Sequence, residues 1–411
     1  MKEPLIKHVE ITNYRSCLNC TFDIHPNLSV LIGPNASGKT NILNAILILR
    51  KLVEQDEYYR YKEEKPTGQS KLKMMFNIEG KKIILNISVQ TYTDENNNDV
   101  IIGSRLSWYL KDFTGNAKRI IFPLINPKQH EKHFYFHGDN LRYFHQAPPY
   151  GIRSLKIHES ELDAIMKISN FANQIRYYSA SQFTNPGNCP VSFEIEKEGM
   201  KSRGLKLRGH DKFLFDLYTE KKTRSSGYKQ FLDIVGPRGI NLVDDIQFED
   251  ILTSSLEYSV RSGGKVRKRR RDKMLIIPRF VIGKHVLSPN QLSEGTFKTI
   301  TLLFYLVTEA SSLLLIEEPE VCVHHGLLSS IIGLIKSYSQ QKQIILSTHS
   351  DFVLDQVSPD NVFKVFSEPK KGTKVLHIPK SMSKRELAAL KDYLDKEGNL
   401  GEYWKHGALE Y

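Results

Sequence analysis

Apolar residues along this chain recur in two rhythms, and each predicts a different kind of element. Three short runs are apolar without alternation: Leu28–Ile32, Leu313–Ile316 and Ile344–Leu346. Runs of that length suit strands buried on both faces, as in a parallel sheet. Four segments read as helices: Asn41–Leu52, residues 158–175, Phe297–Ala310 and Ser383–Glu397. Shorter strands are expected at VFKVFSE and VLHIP around the turn KKGTK, and at SSLEYSV and MLIIPRFV. TYTDENNND, residues 91–99, reads as a polar hairpin tip or loop. Apolar heptads sustained over many turns do not occur, so no long coiled coil is expected. The mixture predicts an α/β fold.

The first buried strand runs into LIGPNASGKTN, which fits G-x-x-x-x-G-K-[ST] through Gly33, Gly38, Lys39 and Thr40. A chance match in a glycine-containing turn is the plain alternative, but a strand before and a helix after are what the chemistry needs. Successive N–H groups in such a loop turn inward to cradle phosphates, and glycines permit the close approach and the unusual dihedrals. Lys39 would meet the β- and γ-phosphates of ATP, and the Thr40 hydroxyl would hold Mg2+. Asn35 and Asn41 flank these groups and join the candidate nucleotide contacts.

A phosphoryl-transfer site also needs an acid that orders the metal and a group that positions water. SSLLLIEEPE places Glu317 and Glu318 at the C-terminal end of the second buried strand, where ligands bind in open α/β sheets. Glu317 is the candidate metal acid and Glu318 the candidate base; solvated acids at a strand end are the bland alternative. His349 follows the third buried strand, where it can contact a γ-phosphate or fix the water. In QLSEGTFK, Ser293 and Gly295 precede an apolar helix. Ser293 is a good helix cap, or it aims a helix N-terminus at a phosphate.

Composition narrows the setting. The chain has 411 residues, 40% hydrophobic and 25% charged, as in soluble globular proteins. No apolar run reaches the roughly eighteen residues of a membrane helix, and MKEPLIKHVE is not a secretory signal. Four cysteines argue against a disulfide framework and for a reducing cytoplasm. A net charge of +12 leans toward an acidic partner, DNA or RNA. RSGGKVRKRRRDK gathers Arg261, Lys265, Arg267, Lys268, Arg269, Arg270, Arg271 and Lys273 against Asp272 alone. Gly263-Gly264 suggest a hairpin tip, so a protruding basic hairpin could track a phosphate backbone. A solvated loop or a nuclease-docking site are the alternatives. His133 and His137 have helical i, i+4 spacing, but their segment does not read as a helix, which favours a partner-docking insertion over zinc. Cys17-x-x-Cys20 has no second pair and is read as structural.

LIGPNASGKTN, QLSEGTFK, LLLIEEPE and LSTHS, in this order, resemble an ABC-type ATPase head. More closely they resemble the RecF/SMC/OLD-like branch, including the ATPase subunits of Septu-like anti-phage systems. VEITNYRSCLNCTFDIHPNLSVLIGPN and NLGEYWKHGAL look like that branch's opening and closing segments. The resemblance implies a two-lobed P-loop NTPase head with a mixed sheet around the P-loop helix. Lobe I with its insertion would span residues 1–175, lobe II 176–310, and the return to lobe I 311–411. It further implies a head-to-tail dimer, or a higher even oligomer, around two ATP molecules, with Ser293 of one head completing the other's γ-phosphate site. Arg15 would touch nucleotide, and Gln182, in YYSASQF, would be the loop glutamine that senses Mg2+. LSEGT in place of LSGGQ argues against a transporter, as does the lack of a membrane segment. Cys322-Val323-His324-His325 lacks the proline usual in that branch, which leaves the following loop less rigid. The stretch after His349 is too short for a Toprim nuclease domain, so a nuclease, if one is served, is expected as a separate chain. A stand-alone RecF-like repair ATPase is the alternative.

Overall fold

The computed structural model describes residues 4–54, 68–93, 99–115, 119–124, 134–137, 140–145, 151–183, 185–196, 209–260, 266–308, 311–321, 323–396 and 398–405. Strands β1 (Leu5–Tyr14), β2 (Cys17–Asp23) and β3 (Leu28–Ile32) lead into helix α1 (Lys39–Glu54). Strands β4 (Gly68–Ile78), β5 (Lys81–Thr93), β6 (Asp99–Tyr109) and β7 (Arg119–Ile121) follow, then β8 (Phe134–His137), β9 (Asn140–His145) and β10 (Gly151–Lys156). Next come α2 (Glu159–Asn173), β11 (Ile175–Ser179), β12 (Phe193–Glu196), α3 (Gly209–Thr223) and α4 (Ser226–Val235). The hairpin β13 (Asp245–Val260) and β14 (Val266–Ile282) leads to β15 (His285–Leu287) and α5 (Glu294–Thr308). The chain then runs through β16 (Leu313–Glu317), α6 (His325–Tyr338), β17 (Gln343–Thr348), β18 (Val362–Glu368), β19 (Gly372–His377) and α7 (Lys384–Lys396).

Two compact units result: Met1–Tyr177 with Ala310–Glu318 and Ser339–Tyr411, and Tyr178–Glu309 with Pro319–Tyr338. The first unit contains a sheet in the order β11-β16-β17-β3-β18-β19. The pairs β16/β17, β17/β3 and β3/β18 are parallel, and β19 is antiparallel to β18. Every residue of β3 and β17 is buried, which explains why these strands read as unbroken apolar runs. Its α/β topology, with the loop after β3 opening into α1, is that of a P-loop NTPase-like fold.

The same unit holds an antiparallel sheet in the order β2-β1-β4-β5-β6-β7. Here β4 alternates between buried and open positions, because one face packs on the core and the other meets water. Leu72, Met74, Phe76, Leu85 and Trp108 share a core with Ile46 and Leu49 of α1 and Ile168 and Phe171 of α2. Phe76 meets Phe171 edge-on at 5.7 Å, and the buried Trp108 indole donates to Phe122 O at 2.7 Å. Buried Gln343 of β17 bonds both main-chain groups of Ile6, at 3.1 and 2.9 Å, tying one sheet to the other.

The second unit has β14 between β12 and β13, with β15 also on β14. Its helices pack on aromatic rings: Phe213 lies 5.5 Å from Phe297 and 5.6 Å from Phe304. Of the boundaries that differ from the sequence reading, three have a visible cause. Helix α5 begins at Glu294, one turn before Phe297, because Ser293 caps it. Strand β19 begins inside KKGTK, because Thr373 N donates to Ser16 O at 2.8 Å. Strand β14 begins at Val266, so Arg267 to Lys273 lie within the strand rather than at a tip.

Candidate nucleotide site

The loop from Gly33 to Gly38 is shaped by what surrounds it. A Cβ on Gly33 would lie 2.0 Å from Val365 O of β18. Gly38 has φ +103°, and a Cβ there would lie 2.0 Å from Thr373 Oγ1. Only glycine satisfies the crowding at the first position and both demands at the second. Pro34, Asn35 and Ala36 form the exposed crown of the loop. Lys39 is 6% exposed, and its ammonium is satisfied by Gly33 O at 2.8 Å and Pro34 O at 3.0 Å. Helix α1 has no acid in its first turn, so the partial positive charge of its N-terminus is not neutralised by its own side chains.

A hydrogen-bond chain holds the loop from outside. Asn41 Nδ2 donates to Ser16 Oγ at 2.7 Å, Ser16 Oγ meets Thr373 Oγ1 at 2.8 Å, and Thr373 Oγ1 donates to Ser37 O at 3.0 Å. With each end fixed, Ser16 must be the donor to Thr373, and the donors run in one direction. Asn41, expected at the nucleotide, thus has its amide nitrogen turned to the β1–β2 turn. Ser16 and Thr373 carried no sequence signal, since small hydroxyl residues in turns are commonplace. Arg15, at φ 49° in that turn, sets its guanidinium 5.6 Å from the centre of the Tyr14 ring.

The acids converge on this loop. Glu317, ending β16, accepts hydrogen bonds from Thr40 Oγ1 on one oxygen and from Tyr177 Oη on the other. Tyr177 was not singled out in the sequence; a tyrosine in a strand is normally packing, and only the pairing of distant strands reveals its partner. Glu318 adopts φ 48°, a left-handed conformation that costs a glutamate about 1–3 kcal/mol. Its N–H donates to Ser347 O at 2.9 Å. Its carboxylate lies 3.4 Å from His349 Nδ1, with the two side chains 34% and 46% exposed. The parallel register Glu317↔Ser347 places His349 beside Glu318.

In the second unit, Ser293 Oγ accepts from Thr296 N at 3.2 Å and donates to Thr296 Oγ1 at 2.8 Å, capping α5. Gly295 lies in the first turn rather than before the helix. Gln182 belongs to the single 3-10 turn Ala180–Phe183, and its side chain lies outside the described residues. Arg261 and Lys265 lie outside them as well. The backbones of Arg267, Lys268, Arg269, Arg270 and Arg271 pair along β13, from Arg267↔Ser259 to Arg271↔Ser255. Lys273, a candidate nucleic-acid contact, is ion-paired with Glu194 at 2.9 Å. His133 lies outside the described residues, and His137 ends a strand, so helical spacing does not apply to the pair. Cys17 and Cys20 are both buried in the core.

Together the loop, its lysine and the strand-end acids form the candidate nucleotide site of a P-loop fold. Residues 5–180 match a family model described as an AAA ATPase domain. Residues 244–355 match another, described as "AAA domain, putative AbiEii toxin, Type IV TA system". A DNA replication and repair protein RecF from Lactococcus lactis subsp. cremoris is 48% identical over 44 residues, which are 11% of this chain and 12% of that protein. RecF from Staphylococcus haemolyticus is 43% identical over 44 residues, with the same shares. The chain therefore spans about an eighth of the length of the RecF relatives it matches. Among solved structures, an SMC head bound to the C-winged helix domain of ScpA is 15% identical, covering 90% of this chain and 97% of that one with a TM-score of 0.47. The SMC head domain from Thermotoga maritima is 12% identical over 90% and 98%, with a TM-score of 0.41. The two AAA matches, each over part of the chain, and the site geometry support a P-loop ATPase. Among the described residues, no helix is long and apolar enough to cross a membrane.

Proposed function

We propose that this protein is an ATP-binding and ATP-hydrolysing switch subunit that dimerises head to tail around ATP and controls a partner nuclease in bacterial anti-phage defence. The observation that carries the reading is the meeting of Thr40 and Tyr177 on Glu317, with Glu318 and His349 paired alongside. The residues fit a magnesium-bound triphosphate: the loop offers backbone N–H groups, a buried lysine and a hydroxyl–carboxylate pair. The Ser37 hydroxyl, buried in that loop, meets no hydrogen-bond partner among the described residues. Bound Mg-ATP supplies the reactive γ-phosphoryl group and the metal that neutralises its charge. Lys39 would bind the phosphate oxygens, and Thr40 and Glu317 would hold the metal. Glu318 would accept the proton of the attacking water, and His349 would orient it. Ser293 of a second copy would complete the site.

Regulation by ATP-driven assembly suits a chain with a signature-like capped helix. The toxin–antitoxin wording of the model matching residues 244–355 favours an effector-linked role. A stand-alone RecF-like repair ATPase is the second reading, favoured by the short RecF match. Tagged Glu318→Gln protein purified from its native host with Mg-ATP separates the two. A stoichiometric nuclease that survives nucleic-acid digestion supports the switch. DNA with no stable protein partner supports repair. The basic hairpin is tested by Arg269→Ala/Arg270→Ala/Arg271→Ala, which should weaken DNA binding and its salt dependence.

A further inference from the structure

Strand β13 is the outer strand of the second unit's sheet, whose order is β12-β14-β13. One edge of its main chain pairs with β14 without a register shift, from Asp245↔Val281 to Val260↔Val266. The other edge has no strand beside it among the described residues. An edge left open in this way is a template for another strand, and proteins blunt it with Lys, Pro, a bulge or a covering element. DIQFEDILTSSLEYSV contains no Lys, Arg or Pro, and its ladder has no bulge. Among the described residues, helix α3 reaches the first half of the strand: Tyr218 meets Phe248 edge-on at 5.3 Å, Lys221 donates to Ile246 O, and Lys222 pairs with Asp250 at 2.6 Å. Residues 249–254 are all exposed, and among them Ile251 and Leu252 are 39% and 59% exposed.

The sequence of β13 is complementary to itself. In a two-fold pair of antiparallel strands one residue must face its own copy, because adjacent pairs alternate between hydrogen-bonded and non-hydrogen-bonded geometry. Centred on Leu252, the register sets Leu252 against Leu252, Ile251 against Thr253 and Phe248 against Leu256 of the second copy. Every acid then faces a neutral polar residue: Asp250 against Ser254, Glu249 against Ser255, Glu257 against Gln247 and Asp245 against Ser259. Moving the centre to Ile251 sets Asp245 against Glu257, and moving it to Thr253 sets Glu249 against Glu257. Like charges directly opposite destabilise a strand pair, so charge selects the Leu252 centre over its neighbours. Glu249 and Asp250 are already ion-paired with Arg279 and Lys222, so the edge does not call for a basic foreign strand. The match points to a second copy of this chain.

We propose that two copies of this chain join through antiparallel β13–β13 pairing centred on Leu252, in the absence of nucleotide. The pairing runs one continuous sheet through the second units of both copies. Main-chain hydrogen bonds supply the affinity, and the apolar centre with its flanking acids fixes the register. The interface uses neither the P-loop nor Ser293, so it is separate from ATP-driven head-to-tail assembly and does not rest on the proposed function.

The test uses full-length protein without nucleotide, followed by sedimentation velocity over a concentration series. Wild type is expected as a dimer. Leu252→Lys sets like charges at the two-fold axis in place of an apolar pair and should raise the dimer dissociation constant about tenfold or more. Because Leu252 is exposed, the variant's melting temperature and its binding of a fluorescent ATP analogue should match wild type, which shows that it is folded. Cross-linking reads the register. Leu252→Cys sets two thiols across the axis with roughly 4.5–5.5 Å between Cα atoms, within disulfide range, and diamide should give a covalent dimer. Gln247 faces Glu257, so the two Gln247 positions stand roughly 34 Å apart and Gln247→Cys should give none. Wild type, with Cys17, Cys20 and Cys189 buried, is the control. A nucleotide-free monomer, a dimer that Leu252→Lys leaves unchanged, or equal cross-linking from both cysteine variants would overturn the proposal. The same oxidation in extract of the native host is the second reading: an adduct of Leu252→Cys with another polypeptide, and no dimer, would overturn it in favour of a foreign strand. If ATP hydrolysis or nuclease recruitment fails while the nucleotide-free dimer persists, the proposed function falls and this interface stands.

Discussion

At the scale of single residues, the site is a set of hydroxyls and carboxylates whose orientation is set by neighbours. Tyr177 holds one oxygen of Glu317 while Thr40 takes the other. Removing the outer hydroxyl should leave the carboxylate less well aimed at a metal. Partners of this kind are worth about 10–100-fold in metal affinity. Tyr177→Phe keeps the ring and should raise the Mg2+ concentration needed for half-maximal hydrolysis about tenfold, with metal-free nucleotide binding unchanged; a magnesium titration reads both. Lys39→Ala should abolish ATP binding, since the loop loses its one cation. Gly38→Ala meets Thr373 Oγ1 and a left-handed φ together. It should lower stability by ~1 kcal/mol or more and weaken nucleotide binding, seen by thermal denaturation and calorimetry.

At the scale of elements, α5 offers a separation of two roles. Ser293 caps the helix, and aspartate caps as well as serine does. Ser293→Asp should therefore keep the melting temperature of the wild type within about 2–4 °C, a shift equal to ~1 kcal/mol. The added negative charge should block ATP-dependent dimerisation if the helix N-terminus faces a phosphate. Ser293→Ala should do the reverse in part, costing about 1 kcal/mol of helix stability. Light scattering with and without ATP, beside melting curves, distinguishes the cap from the phosphate contact. The hairpin β13–β14 teaches a related lesson. A run of basic residues reads as a loop by charge, yet it forms a strand because β13 supplies a full ladder from Asp245↔Val281 to Val260↔Val266.

At the scale of the molecule, each unit contains a half-buried histidine whose pKa burial lowers. Burial pushes the His25 imidazole below its ordinary value, and its Nδ1 accepts from Asn27 N at 3.2 Å. Burial likewise lowers His210, set between Phe183 and Phe297. A lowered value means the unfolded chain binds more protons, so stability is full above the unfolded value of about 6.5 and is lost as pH falls from there toward the folded values. The melting temperature should drop as pH falls from 7 toward 5, and His25→Asn with His210→Phe should flatten that limb. Asp23 acts in a lower window: hydrogen bonds from Lys380 and His8 hold its carboxyl below the usual range, so its contribution disappears only in stronger acid.

Local order along the chain determined the phosphate loop, the buried strands β3, β16 and β17, and the acids at the end of β16. Each is a contiguous pattern whose chemistry needs adjacent residues. The face-alternating sheet β4–β7, the Ser16–Thr373 brace and the Tyr177–Glu317 bond were decided by tertiary structure. Their partners lie far apart in sequence, from Asn41 to Thr373 or from Tyr177 to Glu317, and no local rhythm records which strands will pair. The sequence shows that a lysine or a tyrosine is present. Pairing and register decide whether it faces a carboxylate, a phosphate or water.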